Sequence, residues 1–432
     1  MNNRRIFMLT PIIAMLLLFS ACGKKGPSEP QTNPTAATDK VTQANDILVP
    51  KIILLVNSGG SNAATLDFSP AAALYQEALT LDPNNKDAHF GLSLTDVLSL
   101  ASNTDIQSLF NANVLSLPPD FLKSVVSLSP NAPQLLSSFG TQMIGRISGT
   151  FEGRISKALG KGALVQVGPM PSYYQNTVES VLLPKVVSAL THLSVVLQNT
   201  NYAFLITPQM TGQTETYRID ATEIYLFKAI LQLIATEGSG FVAYNIDYNP
   251  ADSAAVYQAL QPGSTFLAFR ANGSQRMKDS RTYFTGAASS IQSSLNFLMN
   301  EPPHTQTDII HYNPSDQQTF LQAIMEFDTV KAVLSGAYAF PGGPTVNLKN
   351  FFDDATPNYK QMIPPYAVSV QRSATPGRFD AVLTWTATSF NTWIFPDPTM
   401  RGLFPGMTDA NLKLLLQISA ANWQQTVLIS GS

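Results

Sequence analysis

Two stretches of this chain, Val178 to Gln198 and Ile224 to Ala235, put apolar side chains around nearly every face of a helix. A helix with no polar side has to be surrounded, so these stretches demand a core built of other helices. In the first, Val181, Leu182, Leu183, Val186, Val187, Leu190, Leu193, Val195, Val196 and Leu197 form an apolar ring, and Pro184 marks a kink or a helix start. In the second, Asp220 and Glu223 form a capping-box pattern in front of the helix, and Gly238 is expected to close it. Both stretches carry Lys or Pro and are near or below bilayer-spanning length, which favours internal packing over membrane insertion. Further helices are expected from Gln275 to Met299 and from Gln317 to Leu334.

Composition agrees with a large buried core. Hydrophobic residues make up 44% of the 432 positions and charged residues 13%, against roughly a quarter charged in average soluble proteins. Ser, Thr, Asn and Gln supply the missing polarity, and disorder along the whole chain is excluded. The formal charge of −3 argues against a surface that neutralises phosphates, so no nucleic-acid partner is expected.

The front of the chain is read separately. Arg4 and Arg5 precede an apolar run from Ile6 to Phe19, which is too short to span a bilayer and reads as an export signal over residues 1–22. Residues 23–46, rich in Pro, Thr, Ser, Lys and Gln, are expected to be a flexible tether. Cys22 is the one cysteine, so disulfides, thiolate metal sites and a catalytic thiol in the body are excluded. The stretch FSACGKKGP resembles the lipobox of bacterial lipoproteins. That resemblance implies acylation of Cys22 and a lipid bilayer as partner. With Gly23 rather than Asp after the cysteine, it also implies the outer membrane of a Gram-negative cell, on the side facing the periplasm.

Residues 47–335 are expected to form a helical domain. Ser69 is placed as a cap with Pro70 in the first turn, ahead of AAALYQEALTLDPNNKDAHFGL. This segment resembles a tetratricopeptide repeat: Tyr75, Ala78, Leu79, Leu81 and Pro83 match a second helix and its terminating proline, and Ala88, Phe90 and Leu92 open the next first helix. Small Ala78 permits close helix approach, and a unit of this kind must stack to bury its apolar face. A second copy is suggested by Phe110, Val114 and Pro118, with Asn113 where Ala78 stood. The fold class is therefore mainly α, an antiparallel helix array resembling tetratricopeptide repeats, followed by a small mixed β and irregular region over 336–432. In that region FPGGPTVNLKNFF reads as a turn before a strand or loop, Ala381 to Thr386 alternates like a strand, and Thr408 caps a last helix from Asp409 to about Ile418. Its FPDPTMRGLFPGMT resembles a stretch of repeat-containing lipoproteins of Gram-negative bacteria.

Motifs for catalysis are missing from the sequence: there is no G-x-S-x-G elbow, H-E-x-x-H, P-loop lysine motif or G-x-G-x-x-G. The chain is not read as an enzyme, and neither a cofactor nor a metal is assigned. Among the four histidines, His304 and His311 flank a Pro-rich loop and read as exposed, while His89 and His192 fall in helical segments. Asp247, Asn249 and Asp252 resemble part of a calcium loop but read as turn or cap residues, because Ala251 and the missing Gly and Glu break the pattern. Asp353-Asp354 reads as a solvated helix or loop end, and capping accounts for Asp220 and Glu223. Trp385 and Trp393, with Trp423 nearby, form either a local core or a sugar-stacking surface. Two functions follow as expectations: a membrane-anchored helical scaffold for an envelope protein partner, or a lipoprotein that binds a carbohydrate or apolar solute, loosely like the starch-utilisation lipoproteins.

Overall fold

A computed structural model describes residues 32–57, 65–111, 171–211, 214–247, 253–301, 304, 306–310, 312, 314–341, 343–372 and 379–429. The signal segment, Cys22, most of the second repeat copy, Asn249, Asp252 and His311 lie outside the described residues.

Helix α1 spans Pro34–Asn57. Residues 34–46, read from sequence as tether, are thus its first half. Ala37, Val41, Ala44 and Leu48 recur at helical spacing and are buried against the next helix, a stripe too small and too diluted by polar neighbours to announce itself. Asn33 starts the helix, its side chain accepting from the Ala36 N–H at 3.1 Å.

Helices α2 (Ser69–Leu81) and α3 (Lys86–Ala101) follow as a hairpin around Pro83. Pro70 sits in the first turn of α2 as expected. The capping acceptor, however, is Asp67, whose Oδ1 takes the Ser69 N–H at 2.9 Å and its hydroxyl at 2.7 Å. Asn85 caps α3, accepting from Ala88 N–H at 2.9 Å. The Asn33 N–H donates to Leu81 O at 2.8 Å, which ties the start of α1 to the end of α2.

After α4 (Thr104–Asn111) the described chain resumes in α5 (Pro171–Val196). The α5 helix runs through Pro184 because the preceding turn, Val178–Leu182, widens to π-helical pairing and tolerates the missing N–H. Helix α6 (Ala221–Ala243) begins at the predicted capping box: Thr222 N–H donates to Asp220 Oδ1 at 2.7 Å, and Asp220 N–H to Glu223 Oε2 at 3.0 Å. Gly238 does not close it. A Cβ there would stand 3.0 Å from Leu183, so the glycine instead lets α5 approach α6 closely. Helices α7 (Ser253–Leu260), α8 (Gly273–Met299), α9 (Gln317–Ser335) and α10 (Leu348–Asp353) complete the middle of the chain.

The long helices pack in sequence order: α1 on α2, α2 on α3, α3 on α5, α5 on α6, α6 on α8 and α8 on α9. Three apolar cores follow that order, one within α1 to α3, one from α3 to α6, and one from α6 to α10. By length and composition alone α5 and α6 could each cross a bilayer; here they pack on each other and on α3 and α8.

Small sheets decorate the stack. Strands β1 (Phe204–Ile206) and β2 (Tyr217–Ile219) are antiparallel, and β3 (Thr307–Asp308) joins β2 in parallel with Arg218 opposite Asp308. A short antiparallel ladder pairs β4 (Tyr338–Ala339) with β5 (Thr345–Val346). The mixed C-terminal region holds the antiparallel sheet β6 (Tyr366–Arg372), β7 (Phe379–Trp385) and β8 (Thr426–Ile429). It also holds α11 (Asp409–Leu415), capped by Thr408, which accepts from Asn411 N–H at 3.3 Å.

Candidate functional site

The densest group of ionisable side chains lies where β2 runs into α6 and the loop after α8 returns to β3. Capping places Asp220 and Glu223 at the front of α6, and β2 puts Arg218 two residues ahead of the cap. Glu301 follows the last turn of α8, and Asp308 is carried on β3 beside Arg218. His304 stands between them in the chain.

Arg218 Nη1 lies 2.5 Å from Glu301 Oε1 and 3.1 Å from Asp220 Oδ2. His304 Nε2 is 2.9 Å from Glu301 Oε1 and 2.8 Å from Asp308 Oδ1. Glu223 braces the far side, its Oε1 accepting from Ile310 N–H at 3.1 Å. His304 is therefore not the exposed loop residue expected from the Pro-rich sequence; its side chain is 16% exposed and held between two carboxylates. Among the described residues, Glu301, His304 and Asp308 are the three metal-ligating side chains that converge, with their donor atoms all within 4.8 Å of one another.

Electrostatically the group is short of positive charge. Four carboxyl groups face one guanidinium, and the ordinary response is for some to keep their protons. Burial, then the neighbouring carboxylates, push Glu301 up to about 8. Burial also raises Glu223 to about 8. Burial pushes Asp220 upward too, but hydrogen bonds from Glu301 and from Thr222 N–H and the Arg218 charge outweigh it and hold this carboxyl below its usual range. Such a site can share a proton between Asp220 and Glu301 or hold a cation; its side chains are partly reachable from solvent. Capping explains how Asp220 and Glu223 arise, but it does not exhaust what they face. Glu301, His304 and Asp308 lie within eight residues of one another and their spacing was a legible signal, whereas their meeting with Arg218 and Asp220 depends on a two-residue parallel pairing of separated segments.

The residues singled out by repeat resemblance do come together. Tyr75, Ala78, Leu79, Ala88 and Phe90 are buried, the first four in the α1 to α3 core and Phe90 in the next. The Tyr75 hydroxyl donates to Asn45 on α1, and Pro83 O accepts from His89 Nε2–H at 3.0 Å. Trp385 and Trp393 pack edge to face with ring centres 5.4 Å apart, against Phe395 and Leu412. They form a local core rather than a groove wall; neither lines the surface depression bounded by Pro364, Pro365, Thr386 and Ile394. Asp353 and Asp354 stand at the end of α10 with Asp354 exposed, as expected, and they also pair with Arg281 at 2.8 Å and Arg401 at 2.6 Å, which ties α8 and the C-terminal region to α10. Asp247 N–H donates to Asn245 Oδ1 at 2.9 Å, a turn contact.

Comparison with protein-family models, with curated proteins and with solved structures found no match to this chain.

Proposed function

We propose that this chain is a lipid-anchored envelope protein of the outer membrane whose stacked helices act as a scaffold for another envelope protein. The observation that carries the reading is the sequence-ordered packing of the long helices, from α1 through α9, behind a segment that resembles a lipobox. Each helix in such a stack covers its neighbours and keeps an outer face, which is how repeat folds present extended surfaces to partners. On α2 that face carries Gln76, Glu77 and Thr80, while Tyr75, Ala78 and Leu79 turn inward. The finer assignment, a unit like a tetratricopeptide repeat within α1 to α3, is supported by the closeness of Tyr75 to Gly91 and by buried Ala78 and Ala88. The solute-binding alternative loses its main support, since Trp385 and Trp393 pack into a local core.

Two measurements test this. Cys22→Ala should move the protein from the membrane fraction to the soluble fraction with its helical circular dichroism intact; retention in the membrane refutes the anchor. A photo-reactive residue at Gln76 should capture one discrete envelope protein in intact cells, whereas the same residue at Thr282 on α8 should not. Equal labelling from both positions, or none from Gln76, counts against the scaffold.

A further inference from the structure

We propose that Glu301, His304 and Asp308 bind one divalent transition-metal ion, with zinc the best-matched occupant.

Geometry comes first. The two carboxylate oxygens stand 2.8 and 2.9 Å from the same imidazole nitrogen. Ligands around a first-row metal with bonds of about 2.0–2.2 Å lie about 3 Å apart, so a small outward shift of each side chain admits the ion. The ligands are also held. Glu301 is fixed by Arg218 at the end of α8, and Asp308 by its strand pairing with Arg218.

Charge is the second, independent observation. Asp220 has a side chain only 3% exposed, and its Oδ2 lies 3.1 Å from Arg218 Nη1. That oxygen shares the Arg218 nitrogen with Glu301. Asp220 and Glu301 thus share a single guanidinium, and Asp308 adds a further carboxyl group beside His304, so the group is short of positive charge. A divalent cation makes up that deficit.

The donor set selects the class of ion. One imidazole nitrogen with two carboxylate oxygens suits zinc and its first-row neighbours, while calcium and magnesium take oxygen alone and soft Cu(I) prefers sulfur. His304 at 16% exposure and Asp308 at 23% leave an approach from solvent and room for water to complete the shell. The inference is independent of the scaffold reading, because neither the anchor nor the α2 face takes part.

The test uses the full chain in detergent, purified without a histidine tag and stripped by a chelator. Equilibrium dialysis against zinc should give one ion per chain, with calcium failing to compete. Cobalt should give the visible absorption of a site with nitrogen and oxygen ligands. His304→Ala should weaken zinc binding by at least about ten-fold and abolish the cobalt spectrum. Wild-type protein that retains no zinc overturns the proposal, as does undiminished binding in folded His304→Ala, which would locate the ion elsewhere. Should that variant not fold, Glu301→Gln and the wild-type cobalt spectrum decide: a spectrum that is absent, or unchanged by Glu301→Gln, leaves three side chains held by hydrogen bonds alone and refutes the site.

Discussion

At the scale of single residues, the N-terminal core turns on one contact. Gly91 on α3 faces Tyr75 on α2 so closely that a Cβ would stand 2.2 Å from the tyrosine ring. The ring cannot retreat, because Tyr75 is fully buried and its hydroxyl is held by Asn45 on α1. Gly91→Ala would gain about 0.5–1 kcal/mol of helix propensity. Overpacking a closed core costs typically ~1–3 kcal/mol, and here the clash meets an aromatic ring with no free space. The expected outcome is a net destabilisation of about 1–2 kcal/mol, measured as a lower denaturant midpoint at unchanged slope. A midpoint equal to or above wild type would mean that Tyr75 has somewhere to go.

At the scale of elements, the junction of α3 with α5 carries a histidine pair. His89 Nε2 donates to Pro83 O, so the Nδ1 of a neutral His89 is an acceptor, and the 2.8 Å contact requires His192 Nδ1–H to donate to it. Around them, Asp96 pairs with Lys185 at 2.7 Å and Lys86 donates to Val195 O at 2.6 Å. Burial, then the charge of His89, lowers the His192 pKa from its ordinary 6.5, against a smaller pull upward from Asp96. A histidine with a depressed native value binds fewer protons folded than unfolded, so its contribution is intact above about pH 6.5. It is lost as pH falls from there toward the native value. Thermal midpoints between about pH 7.5 and about pH 5.5 should therefore fall more in wild type than in His192→Gln; equal falls would remove the pair from the acid response. Elements of this kind were legible in the sequence where period and punctuation agreed. The capping box at Asp220 and the apolar ring of α5 announced their helices. The first half of α1 did not, because its stripe is alanine and valine among polar residues, and the end of α6 was misplaced because Gly238 serves packing against Leu183 rather than termination. The junction of the acidic group was hidden for a different reason: Glu301, His304 and Asp308 are close in sequence, but they reach Arg218 through the pairing of β2 with β3, and nothing local encodes a parallel pairing across such a separation.

At the scale of the whole molecule, stability should be distributed rather than shared. The cores succeed one another along the chain, and residues such as Leu94, packed against both the first and the second, are the links between them. In a stack of this form, free energy is a sum of units and nearest-neighbour interfaces, so damage spreads only as far as the coupling carries it. The central α6 and α8 have neighbours on both sides, while α1 and α2 have α3 and little beyond it. Local opening should be cheapest at the α1 end and rise toward the centre. Hydrogen exchange on Gly91→Ala separates this from one cooperative core, because the substitution acts wholly within the first unit. Amides of α1, α2 and α3 should exchange faster by roughly the factor that the loss of stability implies, about ten-fold for each ~1.4 kcal/mol. Those in α6 and α8 should keep wild-type protection. Equal acceleration in all five helices would make the chain a single folding unit and would remove the physical ground for reading it as an array.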